Sequence, residues 1–330
     1  MKTKYSRLFF SIFTLFFIII DPKTGSQSAY EAINMCIKSV IPSIFPFLIL
    51  GNFIASDLCS CSIPYMDSML RIPKKTSGYF LLSLVCGYPV GAGLLQKAYD
   101  SNFLSKQDLQ RMVCFCNNAS PAFIIGILSS IVGLRASVFM WGIQALSSLM
   151  LGILLPNEAM NQQNERELNI NKSGSFMSAS VITMANICGW VIAFKIIIAY
   201  LYELLPLKGL FYALLTGVLE LTNGIFALSE LRSLRAIYTI AAFMLSFGGI
   251  CVVIQTKSIA PTISIRKLLT GRLLHAGISC TLASIATPIL FTPHKMQIPL
   301  LPLFLCVVTV GYMLLVFNKK SGSNQCESVV

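Results

Sequence analysis

One carboxylate and a few polar clusters stand out in a chain that is otherwise strongly apolar. Glu220 lies in Leu219-Glu220-Leu221-Thr222-Asn223-Gly224, flanked by long apolar runs. A charge in such a setting is costly unless it meets a solute, a proton or an ion. Glu220 is therefore expected to accept bonds from a substrate, or to hold a coupling proton (H+) or sodium ion (Na+). The plainer reading pairs it with Lys195, a lysine that could otherwise bind an anion or snorkel to the nearer interface. Asn117, Asn118 and Ser120 offer amide donors and acceptors and a hydroxyl, and Pro121 frees a carbonyl one turn earlier. Helix-packing contacts are their plainer use. Two further clusters interrupt apolar runs in the same way: Gly87-Tyr88-Pro89-Val90-Gly91, and Ser246-Phe247-Gly248-Gly249. Together with Thr222 and Asn223, these residues make up the predicted substrate-binding set.

No catalytic constellation accompanies them. The two histidines are His275 and His294, and there is no nucleophile elbow, zinc-protease motif or phosphate loop. The expectation is a protein that is not an enzyme and uses no cofactor. Cysteine is frequent at 11 residues, but most lie within apolar runs as small apolar side chains. Cys59/Cys61 and Cys114/Cys116 have no histidine close by, so no metal site is expected.

The elements that must position these residues follow from composition. Hydrophobic residues make up 55% of 330 and charged residues 12%, about half the usual charged share. Apolar runs of about 18 to 25 residues recur, enough to cross a hydrocarbon core of roughly 30 Å as helices. The net charge of +12 comes from Lys and Arg between the runs, with no basic-aromatic stripe, so the expected partner is a lipid bilayer and not a nucleic acid. The runs are Leu8–Ile20, Ile33–Ala55, an interrupted Gly78–Ala98, an interrupted Arg111–Ser130 and Val132–Leu155. After a polar stretch come Phe176–Tyr202, an interrupted Leu210–Leu228, Ile237–Ile259, Leu273–Phe291 and Ile298–Phe317. Residues 1–32 read as a first helix and loop, 33–155 and 176–292 as two repeats, 156–175 as their linker, and 293–330 as a last helix and tail.

The two repeats are alike in order: a long span, a run opened by glycine and interrupted, a second broken run, and one more span. Matching Gly/Pro-interrupted segments point to a transporter built from repeats. A helix broken inside a bilayer leaves N–H and C=O groups that lipid cannot satisfy, so it survives only within protein or against a wet cavity. If Gly78–Ala98 and Leu210–Leu228 are re-entrant hairpins, each repeat crosses three times and the two are inverted. With Lys2, Lys4 and Arg7 cytoplasmic, most of the basic residues fall on that side too, among them Lys106, Arg111, Lys257, Arg266, Lys267 and Arg272. Lys23, Arg135, Lys208, Arg232, Arg235 and Lys295 fall opposite, as the positive-inside rule requires. The expected fold is an all-α, multi-pass membrane protein of about eight transmembrane helices plus two hairpins in an inverted repeat, with a cytoplasmic N-terminus.

The stretches Ile41-Pro42-Ser43-Ile44-Phe45-Pro46-Phe47, Gly87-Tyr88-Pro89-Val90-Gly91-Ala92, Asn117-Asn118-Ala119-Ser120-Pro121-Ala122-Phe123, Leu219 to Gly224, and Gln255 after Gly248-Gly249 resemble the sporulation integral membrane proteins. These belong to the nucleoside-recognition (Gate) domain superfamily, which is itself similar to concentrative nucleoside transporters. The resemblance covers about Ile33 to His275. It implies a cell-membrane or forespore-membrane transporter, gradient-driven or facilitative, for a small polar solute, an anion such as dipicolinate. A nucleoside or nucleobase transporter, a metal-ion gate using Cys116, and a structural spore-membrane protein are the alternatives.

Overall fold

The computed structural model describes residues 15–59, 63–156 and 176–291. Most of the Leu8–Ile20 run, nearly all of the linker and the Ile298–Phe317 span lie outside them. The described residues contain no strand, which makes this an all-α membrane protein. Among them, five helices are long and apolar enough to cross a membrane: Pro22–Gly51, Leu134–Leu154, Met177–Leu204, Leu234–Ile259 and Ile265–Leu290.

The first of these begins well before Ile33. The stretch before Ile33, expected as a loop, holds a helix start: the Asp21 carboxylate accepts from Thr24 N–H at 3.2 Å, and Pro22 opens α1 (Pro22–Met35). A π-helical turn (Cys36–Val40) joins α1 to α2 (Ile41–Cys59), which carries Pro46 within it. The Ser43 hydroxyl donates to the Ser39 carbonyl one turn back at 2.6 Å.

After the short α3 (Pro64–Met69) come the interrupted segments. Helices α4 (Ser77–Cys86) and α5 (Val90–Asp100) fold back on each other at Gly87; α6 (Lys106–Met112) and α7 (Pro121–Val132) are separated by a non-helical stretch through 117–120. Helix α8 (Leu134–Leu154) closes the first half. In the second half, α9 (Phe176–Leu204) is followed by α10 (Gly209–Leu219) and α11 (Leu221–Ala227), which fold back at Glu220. Then α12 (Leu234–Phe247) and α13 (Gly249–Ile259) run on through a break at Gly248, and α14 (Ile265–Leu290) ends the described chain. At ~1.5 Å per residue, the 10 residues of α4 and the 11 of α10 reach about half way through a core of ~30 Å.

Helix α14 starts at Ile265 and not at the expected Leu273. Its buried side is a stripe of Leu268, Arg272, His275, Ser279 and Ala283, packed on α8 and α12, while Leu273, Leu274, Ile285 and Ile289 face outward. The polar face is inside and the apolar face outside, as expected for a helix in lipid. The halves are joined by glutamine amides. Gln96 bonds Thr262 through both its amide atoms, Gln110 donates to the Thr262 carbonyl at 2.9 Å, and Gln144 donates to Ser279 Oγ at 2.7 Å.

Candidate functional site

Each of the four breaks must find partners for the backbone groups it frees, and the partners decide the geometry. At the first, Gly87 has φ +76°, and a Cβ there would lie 2.8 Å from Ser120 N and Cβ. Only glycine suits both the backbone and the space. The neighbouring Tyr88 N–H donates to the Asn118 carbonyl at 2.6 Å. The first hairpin tip is thus seated on the second break, with Gly91 packed against the Cys116 carbonyl and the Ser83 side chain. Ser120 caps α7 by accepting from Phe123 N–H at 3.2 Å, and Pro121 fills the first helical position, where no N–H is needed.

In the second half, Glu220 is extended (φ −143°, ψ 123°) and 2% exposed. Its Oε1 accepts from Thr222 N–H at 2.9 Å, and its Oε2 accepts from Asn223 N–H and Asn223 Nδ2, each at 2.7 Å. The carboxylate therefore caps α11. Gly248 is left-handed, and Gly249 lies against the backbone of Gly217, Leu219 and Leu221. The tip at 219–224 thus faces the break at 246–249, just as the tip at 87–91 faces 116–120.

Both tips, the 117–120 break and the helix that follows the 246–249 break line one narrow crevice. Its polar lining is Tyr88 from the first tip, Ser120 from the second break, Glu220 and Thr222 from the second tip, and Gln255 from α13. Val40, Ile44, Phe123, Ile187, Val191, Leu221 and Val252 supply apolar walls. Asn117, Asn118 and Asn223 do not line it, and their amide donors are engaged within the protein. Asn117 Nδ2 donates to Thr256 Oγ1 at 3.1 Å, Asn118 Nδ2 to the Phe115 carbonyl at 2.8 Å and Ser148 Oγ at 3.0 Å, and Asn223 Nδ2 to Glu220. Ser246 turns away from the crevice, its hydroxyl donating to Gln144 Oε1 at 2.8 Å.

The plainer reading of Glu220 is not what the structure shows, and one expectation about charge is corrected. Lys195 does not pair with Glu220; its Nζ lies 3.6 Å from Glu31 Oε2, and both side chains are partly exposed. Arg272 is not a loop residue. It is 1% exposed, with Nη1 donating to the Ser246 carbonyl at 3.1 Å and the guanidinium carbon 5.3 Å from the centre of the Tyr88 ring. One turn on, His275 Nε2 shares a hydrogen bond of 2.8 Å with Ser147 Oγ. The signal for both residues was the spacing Arg272, His275, Ser279, Ala283, a polar-small face at helical period. Buried polar atoms without a partner among the described residues include Tyr88 Oη, Asn117 Oδ1, Asn118 Oδ1, His275 Nδ1, and Arg272 Nε and Nη2. Cys116 is fully buried, and among the described residues no three His, Cys, Asp or Glu side chains converge on a point.

No family model matches the chain, and no solved structure does. Among curated proteins, the chain is similar to the sporulation integral membrane protein YlbJ of Bacillus subtilis (strain 168). The two are 24% identical over 321 positions, covering 80% of this chain and 78% of the relative. The likeness to an integral membrane protein and the apolar helices together support a multi-pass membrane protein.

Proposed function

We propose that this protein is a secondary transporter or facilitator of a small polar solute, an anion of the dipicolinate kind, working in the membranes of endospore formation without a chemical step of its own. The observation that carries this reading is the single crevice lined from both hairpin tips and from the helices that follow both breaks. Four costly interruptions are worth keeping in a bilayer protein if they meet around a solute. The name of the similar Bacillus subtilis protein supports the sporulation setting.

In this reading α4–α5 and α10–α11 are re-entrant hairpins of two inverted Gate-like repeats, in a chain of about eight spans with its N-terminus in the cytoplasm. Glu220 holds a proton or sodium ion that travels with the solute. Flux of radiolabelled dipicolinate and uridine into proteoliposomes, with and without a sodium or proton gradient, tests it. Dipicolinate flux is expected; uridine flux alone would mark a nucleoside transporter, and no flux of either would leave a structural protein. Cysteine-accessibility labelling should place position 106 and position 257 on one face and position 232 on the other; labelling of 106 and 232 from the same side would end the inverted-repeat scheme.

A further inference from the structure

Arg272 is the largest fully buried side chain among the described residues, and the helix end it touches uses one of its donors. Its Nη1 caps the carbonyl of Ser246, at the C-terminal end of α12. Among the described residues Nε and Nη2 have no partner, and no carboxylate lies within ion-pair distance of the guanidinium. A guanidinium keeps its proton under any ordinary condition, so the charge cannot be shed. A buried charge without a counter-ion is among the least favourable features a protein can hold. The Tyr88 ring, at 5.3 Å, offsets part of that cost while no anion is present.

The two unpartnered nitrogens define the rest. Nε and Nη2 form one edge of the planar group, a pair of parallel N–H donors matched to the two oxygens of a carboxylate. Tyr88 touches both Arg272 and the crevice: it is among the crevice's lining residues, which do not include Arg272, its ring lies under the guanidinium carbon, and its hydroxyl is also buried without a partner among the described residues. We propose that Arg272 is the carboxylate-binding residue of this protein, taking a solute carboxylate side-on at Nε and Nη2 when the Tyr88 ring turns from it toward the crevice. The proposal rests on the reading of the crevice as the solute's path. It moves the anion's principal partner from the asparagine amides, which are engaged elsewhere, to a buried residue packed against Tyr88 of the first tip.

The competing role for Arg272 is purely structural, capping α12. A lysine keeps the charge and can donate to one carbonyl, but cannot present two parallel donors. Equilibrium binding of radiolabelled pyridine-2,6-dicarboxylate to the full chain in nanodiscs separates the two roles, with its dimethyl ester, inorganic phosphate and uridine as competitors. Arg272→Lys should melt within a few degrees of the parent yet bind the diacid at least 10-fold more weakly. Arg272→Gln, if it folds, should bind at least 100-fold more weakly. The diester should compete at least 100-fold less well than the diacid, and phosphate should rank between them. Diacid affinity within twofold of the parent in folded Arg272→Lys overturns the assignment and leaves the transport reading standing, as would a diester that competes as well as the diacid. If the parent neither binds nor moves any of these solutes, the transport reading fails and this one with it.

Discussion

The two hairpin tips satisfy the same backbone problem by opposite means. At the first, the freed N–H of Tyr88 is taken by a carbonyl of another element, Asn118 in the stretch between α6 and α7. At the second, the freed N–H groups of Thr222 and Asn223 are taken by the side chain of Glu220, within the tip itself. The first tip cannot move without opening its neighbour, whereas the second carries its own partner. The charges differ in the same sense: the first tip holds no charge and borrows that of Arg272 through Tyr88, and the second owns a carboxylate. A site assembled this way has one anchored tip near a cation and one self-contained tip whose charge a proton or sodium ion can neutralise.

The most direct way to break the comparison is to force the second tip apart. A Cβ on Gly224 would lie 2.2 Å from the Gly217 Cα, where α10 and α11 pass each other. Neither backbone can yield as a side chain would. Gly224→Val should cost ~3 kcal/mol or more, beyond ordinary overpacking, and should appear as a loss of folded, monodisperse protein in detergent. Normal yield and melting temperature would mean that the two helices are not held in register by this contact.

Next in size is the cap of that tip. Glu220→Ala leaves two buried backbone N–H groups and the Asn223 side-chain amide without their acceptor, a cost of about 2–3 kcal/mol, read as a lower melting temperature. Glu220→Gln keeps one acceptor but turns an amide toward donors; it should be milder in stability and should abolish gradient-driven accumulation while leaving some downhill flux. If Glu220→Gln still concentrates solute against a gradient, Glu220 is a helix cap and nothing more. The matching change on the other side is Ser120→Ala, which removes a single hydroxyl from Phe123 N–H at 3.2 Å. It should cost about 1 kcal/mol and leave coupling intact, because that break rests on backbone contacts as well.

How far the sequence disclosed this arrangement depended on whether the signal was local. Helix breaks are written in a few adjacent residues, so Gly87-Tyr88-Pro89, Ser120-Pro121, Glu220 and Gly248-Gly249 were all legible. The helix over Pro22–Met35 is less legible, because its polar residues read as the loop before Ile33 while Asp21 and Pro22 in fact cap and open it. Arg272 was misread for a different reason. It follows Arg266 and Lys267, and a window average groups the three as one basic loop, yet five residues of helix beyond Lys267 carry it ~7.5 Å deeper. The long-range bonds of Gln96, Gln110 and Gln144 have no local trace, since each partner lies more than 90 positions away. The orientation of the asparagine amides was equally hidden, because an amide beside a break can turn inward or outward with the same sequence.

The smallest expected effect belongs to the residue that sequence alone made a rival for Glu220. Had Lys195 been the counter-ion of a buried carboxylate, removing it would have stranded a charge and cost several kcal/mol. Instead its Nζ lies 3.6 Å from Glu31, with relative exposures of 24% and 50% for the two side chains. A pair that open gains little: each charge keeps much of its polar surroundings, and holding two long side chains together costs entropy. Lys195 sits in α9, so its methylenes already pack along apolar surface, and methionine of similar length retains that packing. Lys195→Met should therefore shift stability by no more than ~0.5 kcal/mol, measured as a change in melting temperature within a few degrees, and should leave accumulation unchanged. Loss of gradient-driven uptake in Lys195→Met at normal stability would contradict this. It would return Lys195 to the solute's path and make the second tip dependent on a partner outside itself, as the first tip is.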